Sequence, residues 1–271
     1  MKTPSVSVLV LFALLAARAA GAGLVDLGNP PRIAPEARTP EALRAADRAV
    51  LERLLLRGRA SAADLSPAAL ANLPALRELD ISECNLSAVP ESVADGSLPA
   101  LEHLYMAGNP QLSTLPGSLF AKNPKLTYLN LDRSGVAALP ENIGDASGIR
   151  WLRVNHTALK EFPASLARLR SLQRLYARGC RISGIPESLK DMPELEDLVF
   201  DGCTGIKECP QWVAELPALR NLSLAGTGVA KFPEDLSGFR KLSTLNIAGT
   251  PLTAAERRRI RAELPEVSIT F

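Results

Sequence analysis

The sequence predicts an α/β fold: a curved solenoid of about eight stacked repeats, with a parallel sheet on the concave face and a helical N-terminal cap. Three observations predict it. First, an apolar frame recurs at Leu76, Leu101, Leu126, Ile149, Leu172, Leu195, Leu219 and Leu242, in steps of 25, 25, 23, 23, 23, 24 and 23 residues. Second, further apolar residues follow at the fourth and sixth positions of each copy, the alternation of a short strand with one buried face. Third, seven copies carry an apolar residue followed by proline: Val89-Pro90, Leu115-Pro116, Leu139-Pro140, Phe162-Pro163, Ile185-Pro186, Cys209-Pro210 and Phe232-Pro233. A composition of 46% hydrophobic and 22% charged residues excludes wholesale disorder.

No single copy can bury its leucines, but a stack of them can. With strands about 4.8 Å apart, eight copies make a body on the order of 40 Å long. The ninth position of each copy holds Cys84, Asn109, Ser134, Thr157, Cys180, Cys203, Thr227 and Thr250. These are small side chains that can point inward and bond the turn backbone. Cys209 fills the apolar slot before a proline. All four cysteines are thereby expected to be buried packing residues. Paired C-x₂₋₄-C spacings are absent, so no metal site is expected. Cys180 and Cys203 sit in neighbouring copies, within the separation a disulfide tolerates, although their side chains should run parallel; both states stay open at this level.

The stack needs closing at both ends. Residues 23–72 are expected to form a helical capping segment. Its main helix runs from Thr39 as N-cap, through Pro40 in the first turn, to Gly58 as stop, with Leu43, Val50, Leu51, Leu54 and Leu55 as the apolar stripe. A second short helix is expected after Ser66. Repeats occupy residues 73–252. Residues 253–271 then form a C-terminal cap, in which Thr253 and Glu256 have capping-box spacing and Val267, Ile269 and Phe271 alternate as a last strand.

Residues 1–22 have the layout of a secretory signal peptide: Lys2, a 12-residue apolar run from Val6 to Ala17, and Ala20-Gly21-Ala22 as an A-x-A cleavage site. The run is too short to anchor in a bilayer. Removing it takes away Lys2 and Arg18, leaving 29 basic against 29 acidic residues where the whole chain carries +2. A general attraction to nucleic acid or anionic membrane is therefore not expected.

Each copy follows L-x-x-L-x-L-x-x-N/C-x-L, and over about two thirds of its length the chain resembles the leucine-rich repeat proteins. Units such as "LEDLVFDGCTGIKECPQWV" look like the repeats of plant intracellular immune receptors and of bacterial secreted and effector proteins. The resemblance implies a solenoid that binds proteins. The effectors often join it to a ubiquitin-ligase domain, but only about 20 residues follow the last repeat here, so no ligase or nucleotide-binding activity carries over. Extracellular relatives in animals and plants typically staple their caps with disulfides. Caps without cysteine, as here, resemble bacterial ones, and a secreted or periplasmic location is expected. The alternative is delivery into a host cell, as an effector or ligase adaptor.

The resemblance also implies that the strand positions between the leucines face the concave surface where a partner binds. The third position reads Glu78, His103, Tyr128, Trp151, Arg174, Asp197, Asn221, Thr244. The fifth reads Asp80, Tyr105, Asn130, Arg153, Tyr176, Val199, Ser223, Asn246, and the seventh Ser82, Ala107, Asp132, Asn155, Arg178, Asp201, Ala225, Ala248. All three tyrosines, both histidines and one of two tryptophans fall on this face in copies 2 to 5, with His156 at the adjoining turn. Strand propensity accounts for aromatic residues there, but not for histidine or for the plain surface of copies 7 and 8. Tyr, Trp and Arg dominate binding hot spots. Arg150, Arg153, Arg174 and Arg178, with Arg133 nearby, are expected to make a basic centre, and Glu78, Asp80, Glu83, Asp197 and Asp201 acidic shoulders. The expected partner surface is His103, Tyr105, Tyr128, Asn130, Asp132, Arg133, Trp151, Arg153, Asn155, His156, Arg174, Tyr176, Arg178 and Asp201. A protein or peptide of mixed charge suits it best; a glycan stacked on Tyr128 and Trp151 comes second. No H-E-x-x-H, G-x-S-x-G, Walker or G-x-G-x-x-G motif occurs. His103 and His156 lie two copies apart, about 10 Å at the usual strand spacing. The expectation is a monomeric binding module with no catalysis, cofactor, nucleic-acid partner or membrane anchor.

Overall fold

The structure, a computed structural model, describes residues 35–271. The leader at 1–22 and the first part of the capping segment lie outside these residues. Within them, 11 parallel strands form one sheet in unbroken chain order. They are β1 (Glu36–Ala37), β2 (Arg53–Leu55), β3 (Glu78–Asp80), β4 (His103–Tyr105), β5 (Tyr128–Asn130), β6 (Trp151–Arg153), β7 (Arg174–Tyr176), β8 (Asp197–Val199), β9 (Asn221–Ser223), β10 (Thr244–Asn246) and β11 (Ser268–Thr270). The helices are α1 (Pro40–Ala45), α2 (Glu91–Ala94), α3 (Ser118–Lys122) and α4 (Ala254–Glu263).

In most of the three-residue strands only the middle side chain is buried, and from β2 to β10 that residue is leucine; β8 buries all three of its residues. Register stacks Leu54, Leu79, Leu104, Leu129, Leu152, Leu175, Leu198, Leu222 and Leu245 into one column, closed by Ile269 of β11. The flanking third and fifth positions are left on the open face. The return segments begin at the prolines. Pro140, Pro163, Pro186 and Pro210 are extended, with φ near −65°, and each is followed by a 3₁₀ turn. Their carbonyls accept from Ile143, Leu166, Leu189 and Val213, closing the turn that the fixed φ prepares.

The N-terminal region differs from the expected long helix. α1 ends after six residues, and Leu51, Leu54 and Leu56 enter the core as the frame of a further coil, while Val50 is 46% exposed. β2 pairs with β3 in repeat register, Arg53 beside Glu78 and Leu54 beside Leu79. Thr39 does cap α1, accepting from Ala42 N at 3.1 Å. Ser66 closes a 3₁₀ turn over Ala63–Leu65 and no helix follows it. Packing decided this: the leucines of residues 51–56 bury more surface continuing the stack than lying along an isolated helix. At the other end, Thr253 Oγ1 accepts from Glu256 N at 3.1 Å. The Glu256 carboxylate turns instead to Arg259, at 2.6 Å, so only half of the capping box forms.

The ninth-position ladder is buried. Asn109, 0% exposed, donates to the carbonyls of Ile81 and Met106 and accepts from Cys84 N and Leu86 N at 3.1 and 3.0 Å. Thr157, Thr227 and Thr250 each bond a carbonyl three residues back. All four cysteines are buried and free. Cys203 Sγ lies 3.0 Å from the Ala177 carbonyl, and burial pushes its thiol up to about 11. The 180–203 pair, open at the sequence level, is thus unbridged.

Candidate functional site

The fold places the third, fifth and seventh positions of consecutive coils side by side on the concave face. At the third position His103, Tyr128, Trp151 and Arg174 are strand neighbours. His103 meets Tyr128 edge-on with centroids 6.0 Å apart, and Tyr128 meets Trp151 at 5.6 Å. Tyr105, from the fifth position of β4, joins at 4.8 Å from Tyr128. The Arg174 guanidinium lies 4.3 Å from the Trp151 ring centre. Trp151 stays 36% exposed. The result is one continuous aromatic ridge across β4 to β6, whose own contacts stabilise it by about 1 kcal/mol per pair. Burial pushes Tyr105 up to about 12, and Tyr176 also to about 12 with help from its bond to Asp197, so both phenols are protonated donors.

The arginines do not form the expected free basic centre. Three of its guanidinium groups each reach a carboxylate of a neighbouring coil. Arg153 takes Asp132 Oδ2 through two nitrogens, at 3.0 and 2.6 Å. Arg174 Nε lies 3.4 Å from Asp197, and Arg178 Nε 3.0 Å from Asp201. Three arginines of the expected basic centre are thus paired across the coils, two of them with Asp197 and Asp201 of the acidic shoulder, while Arg133 and Arg150 have no ion pair among the described residues. Coils 7 and 8 are not idle either. Asn221 donates to Asp197 Oδ1 at 2.5 Å, Ser223 donates to Asp201, and Thr244 donates to Asn221. Tyr176 Oη donates to Asp197 Oδ2 at 2.6 Å. Asp197, 9% exposed, is the hub that fixes Tyr176 and Arg174 in place.

Asn130 and Asn155 serve the backbone: their Oδ1 atoms accept from Asp132 N and Arg178 N at 2.9 and 2.8 Å. Arg133 and His156 lie past the strand ends, at the turn. The face therefore has two zones: the aromatic ridge at the strand starts, and a polar depression of about 370 Å³ at the strand ends of β3 to β7, which Arg133 and His156 line. Sequence reasoning missed two of this region's arginines. Arg53 and Arg57 of the extra coil pair with Glu78 at 2.6 Å and Glu83 at 2.5 Å. Leu51, Leu54 and Leu56 stand 25 residues before Leu76, Leu79 and Ile81, a period that would have revealed that coil.

Residues 117–222 match a family model described as a leucine-rich repeat region, and residues 74–136 match one described as leucine rich repeat; together they span more than half of the chain. A comparison with curated proteins finds no match. Among solved structures, a leucine-rich repeat protein of Leptospira interrogans is 19% identical with a TM-score of 0.54, covering 82% of this chain and 73% of that one. The leucine-rich repeat domain of the type III effector XopL is 22% identical with a TM-score of 0.54, covering 71% and 75%. The ectodomain of the Arabidopsis thaliana receptor kinase GASSHO1/SCHENGEN3, solved with CASPARIAN STRIP INTEGRITY FACTOR 2, is 19% identical with a TM-score of 0.64; 88% of this chain aligns to 31% of that one. At these identities the likeness is one of fold. Among the described residues no helix is long and apolar enough to cross a membrane. With the column of leucines, the buried ladder and both family models in agreement, the chain belongs to the leucine-rich repeat proteins.

Proposed function

We propose that this chain is a secreted, non-enzymatic binding module that recognises a protein or peptide through the concave face of β4 to β7. The observation that carries the reading is the aromatic ridge Tyr105–Tyr128–Trp151, held rigid and yet open to solvent. A large ring already fixed by its neighbours loses little entropy on binding, which is why such residues become hot spots. The charged network beside it adds register: paired groups of both signs select a partner of complementary pattern. The solved complex of GASSHO1/SCHENGEN3 with its named factor supports the same use of the fold. Protein is favoured over glycan because Arg174 lies over Trp151 and takes up ring surface a sugar would need.

The test is capture from the native secretion medium by immobilised protein. Trp151→Ala, Arg153→Ala and Tyr176→Ala combined should abolish recovery of the bound partner while leaving a cooperative thermal transition. Unchanged capture by the triple variant would exclude the concave face. Secretion is tested by the N-terminus of the exported chain, expected directly after Ala22.

A further inference from the structure

The eighth position of every coil is left-handed in the same way. In all but the last coil its N–H donates across to the seventh-position carbonyl of the next coil, as from Gly108 to Asp132 at 2.7 Å and from Gly179 to Asp201 at 2.7 Å. Reaching that carbonyl requires a left-handed residue, and six of nine coils use glycine there: Gly58, Gly108, Gly179, Gly202, Gly226 and Gly249. Three do not. Glu83, Arg133 and His156 hold φ of 57°, 56° and 56°, a conformation that side chains with a Cβ disfavour.

These three exceptions are not scattered. All line the same depression at the strand ends of β3 to β7. Glycines beside them make room for their side chains: a Cβ at Gly108 would lie 2.7 Å from Glu83 Cγ, and one at Gly179 would lie 2.5 Å from His156 Nδ1. The fold asks for glycine at all three positions and would be served by it, so the side chains are held for another use. Strain retained around one cavity points to a site.

The charges say what the site takes. Glu83 is taken by Arg57, and Asp132 by Arg153 together with Asn155 N. Arg178 gives only Nε to Asp201, leaving its terminal nitrogens without a carboxylate. Arg133 and His156 have no ion-pair partner among the described residues. The end of the depression formed by Arg133, His156 and Arg178 is thus a group of donors whose nearest carboxylates, Asp132 and Asp201, are already engaged, while Asp80, which has no ion pair, lies at the opposite, β3 end. We infer that this end is a receptor for an acidic side chain of the bound protein, built at the cost of backbone strain. The inference rests on the concave face being a protein-binding surface, and adds a second anchor outside the aromatic ridge.

The test uses a blocked octapeptide with a central Glu-Glu pair, N-acetylated and C-amidated, followed by amide and imidazole shifts in NMR. It should bind the parent in a salt-sensitive way and move His156 and Gly179. The Gln-Gln counterpart should not bind. In Arg133→Gly/His156→Gly, affinity should fall at least tenfold. The same variant should melt no lower than the parent, and up to a few degrees higher, since glycine relieves the left-handed strain. Equal binding of both peptides, unchanged affinity in the variant, or binding only by a Gln peptide with a free C-terminus would overturn the inference. A lower melting temperature would also overturn it, by showing that the two side chains serve the fold. Failure here leaves the ridge reading intact, because the Trp151, Arg153 and Tyr176 triple variant retains Arg133 and His156 and is scored on its own capture.

Discussion

Asn109 shows what a single ladder residue does. Its buried amide joins two coils, bonding Ile81, Cys84 and Leu86 on one and Met106 on its own. Asn109→Ala leaves several buried backbone groups unpaired and should cost about 2–4 kcal/mol in urea unfolding. Asn109→Thr should cost less. A threonine hydroxyl bonds the carbonyl three residues back, as Thr157, Thr227 and Thr250 do, but cannot serve the preceding coil. Most residues of this kind were legible in the sequence, because a fixed place in the repeat assigns each a fixed environment. The ion pairs were not. Arg153 to Asp132 and Arg174 to Asp197 join residues 21 and 23 apart, and which rotamers meet is decided only when the coils are stacked.

At the scale of elements, the segment 39–58 separates two physical signals. Helical spacing placed Val50 in an apolar stripe; repeat spacing places Leu56 in the core. Val50 is 46% exposed and Leu56 fully buried. Val50→Lys should therefore change stability by no more than about 0.5 kcal/mol. Leu56→Ala should cost about 2–5 kcal/mol. Chemical denaturation of the two variants checks both, and the reverse order would restore the long helix. The run Leu54-Leu55-Leu56 fits either period, which is why local reading could not choose. Its tertiary neighbour β3 chooses, by offering parallel pairing to a strand and nothing to a helix.

For the whole molecule, the sheet continues from β1 to β11, with each coil covering the next and α4 closing the last. The half-buried phenols of the concave face give this body an alkaline limit. Tyr105 and Tyr176 titrate near 12 in the folded chain, against an ordinary value of 10.0. The folded state therefore holds protons that the unfolded state releases. Stability from these groups is complete below pH 10 and is lost as pH rises from 10 towards 12. Cys203, raised from 9.0 to about 11, acts in the same direction. Urea midpoints should begin to fall above pH 9 and fall more steeply above pH 10, and Tyr105→Phe/Tyr176→Phe should flatten the steeper part. A flat profile in the parent would mean the phenols are solvated.

The sequence by itself determined the solenoid, the inward leucines, the ladder and the set of side chains on the concave face. It could do so because a repeat turns spacing directly into position. Only the tertiary structure decided that Arg53–Leu55 is a strand, that Arg153, Arg174 and Arg178 are each matched with a carboxylate, and that Glu83, Arg133 and His156 occupy left-handed turns around one depression. Those outcomes depend on contacts between coils more than 20 residues apart, and such energies are absent from any single repeat.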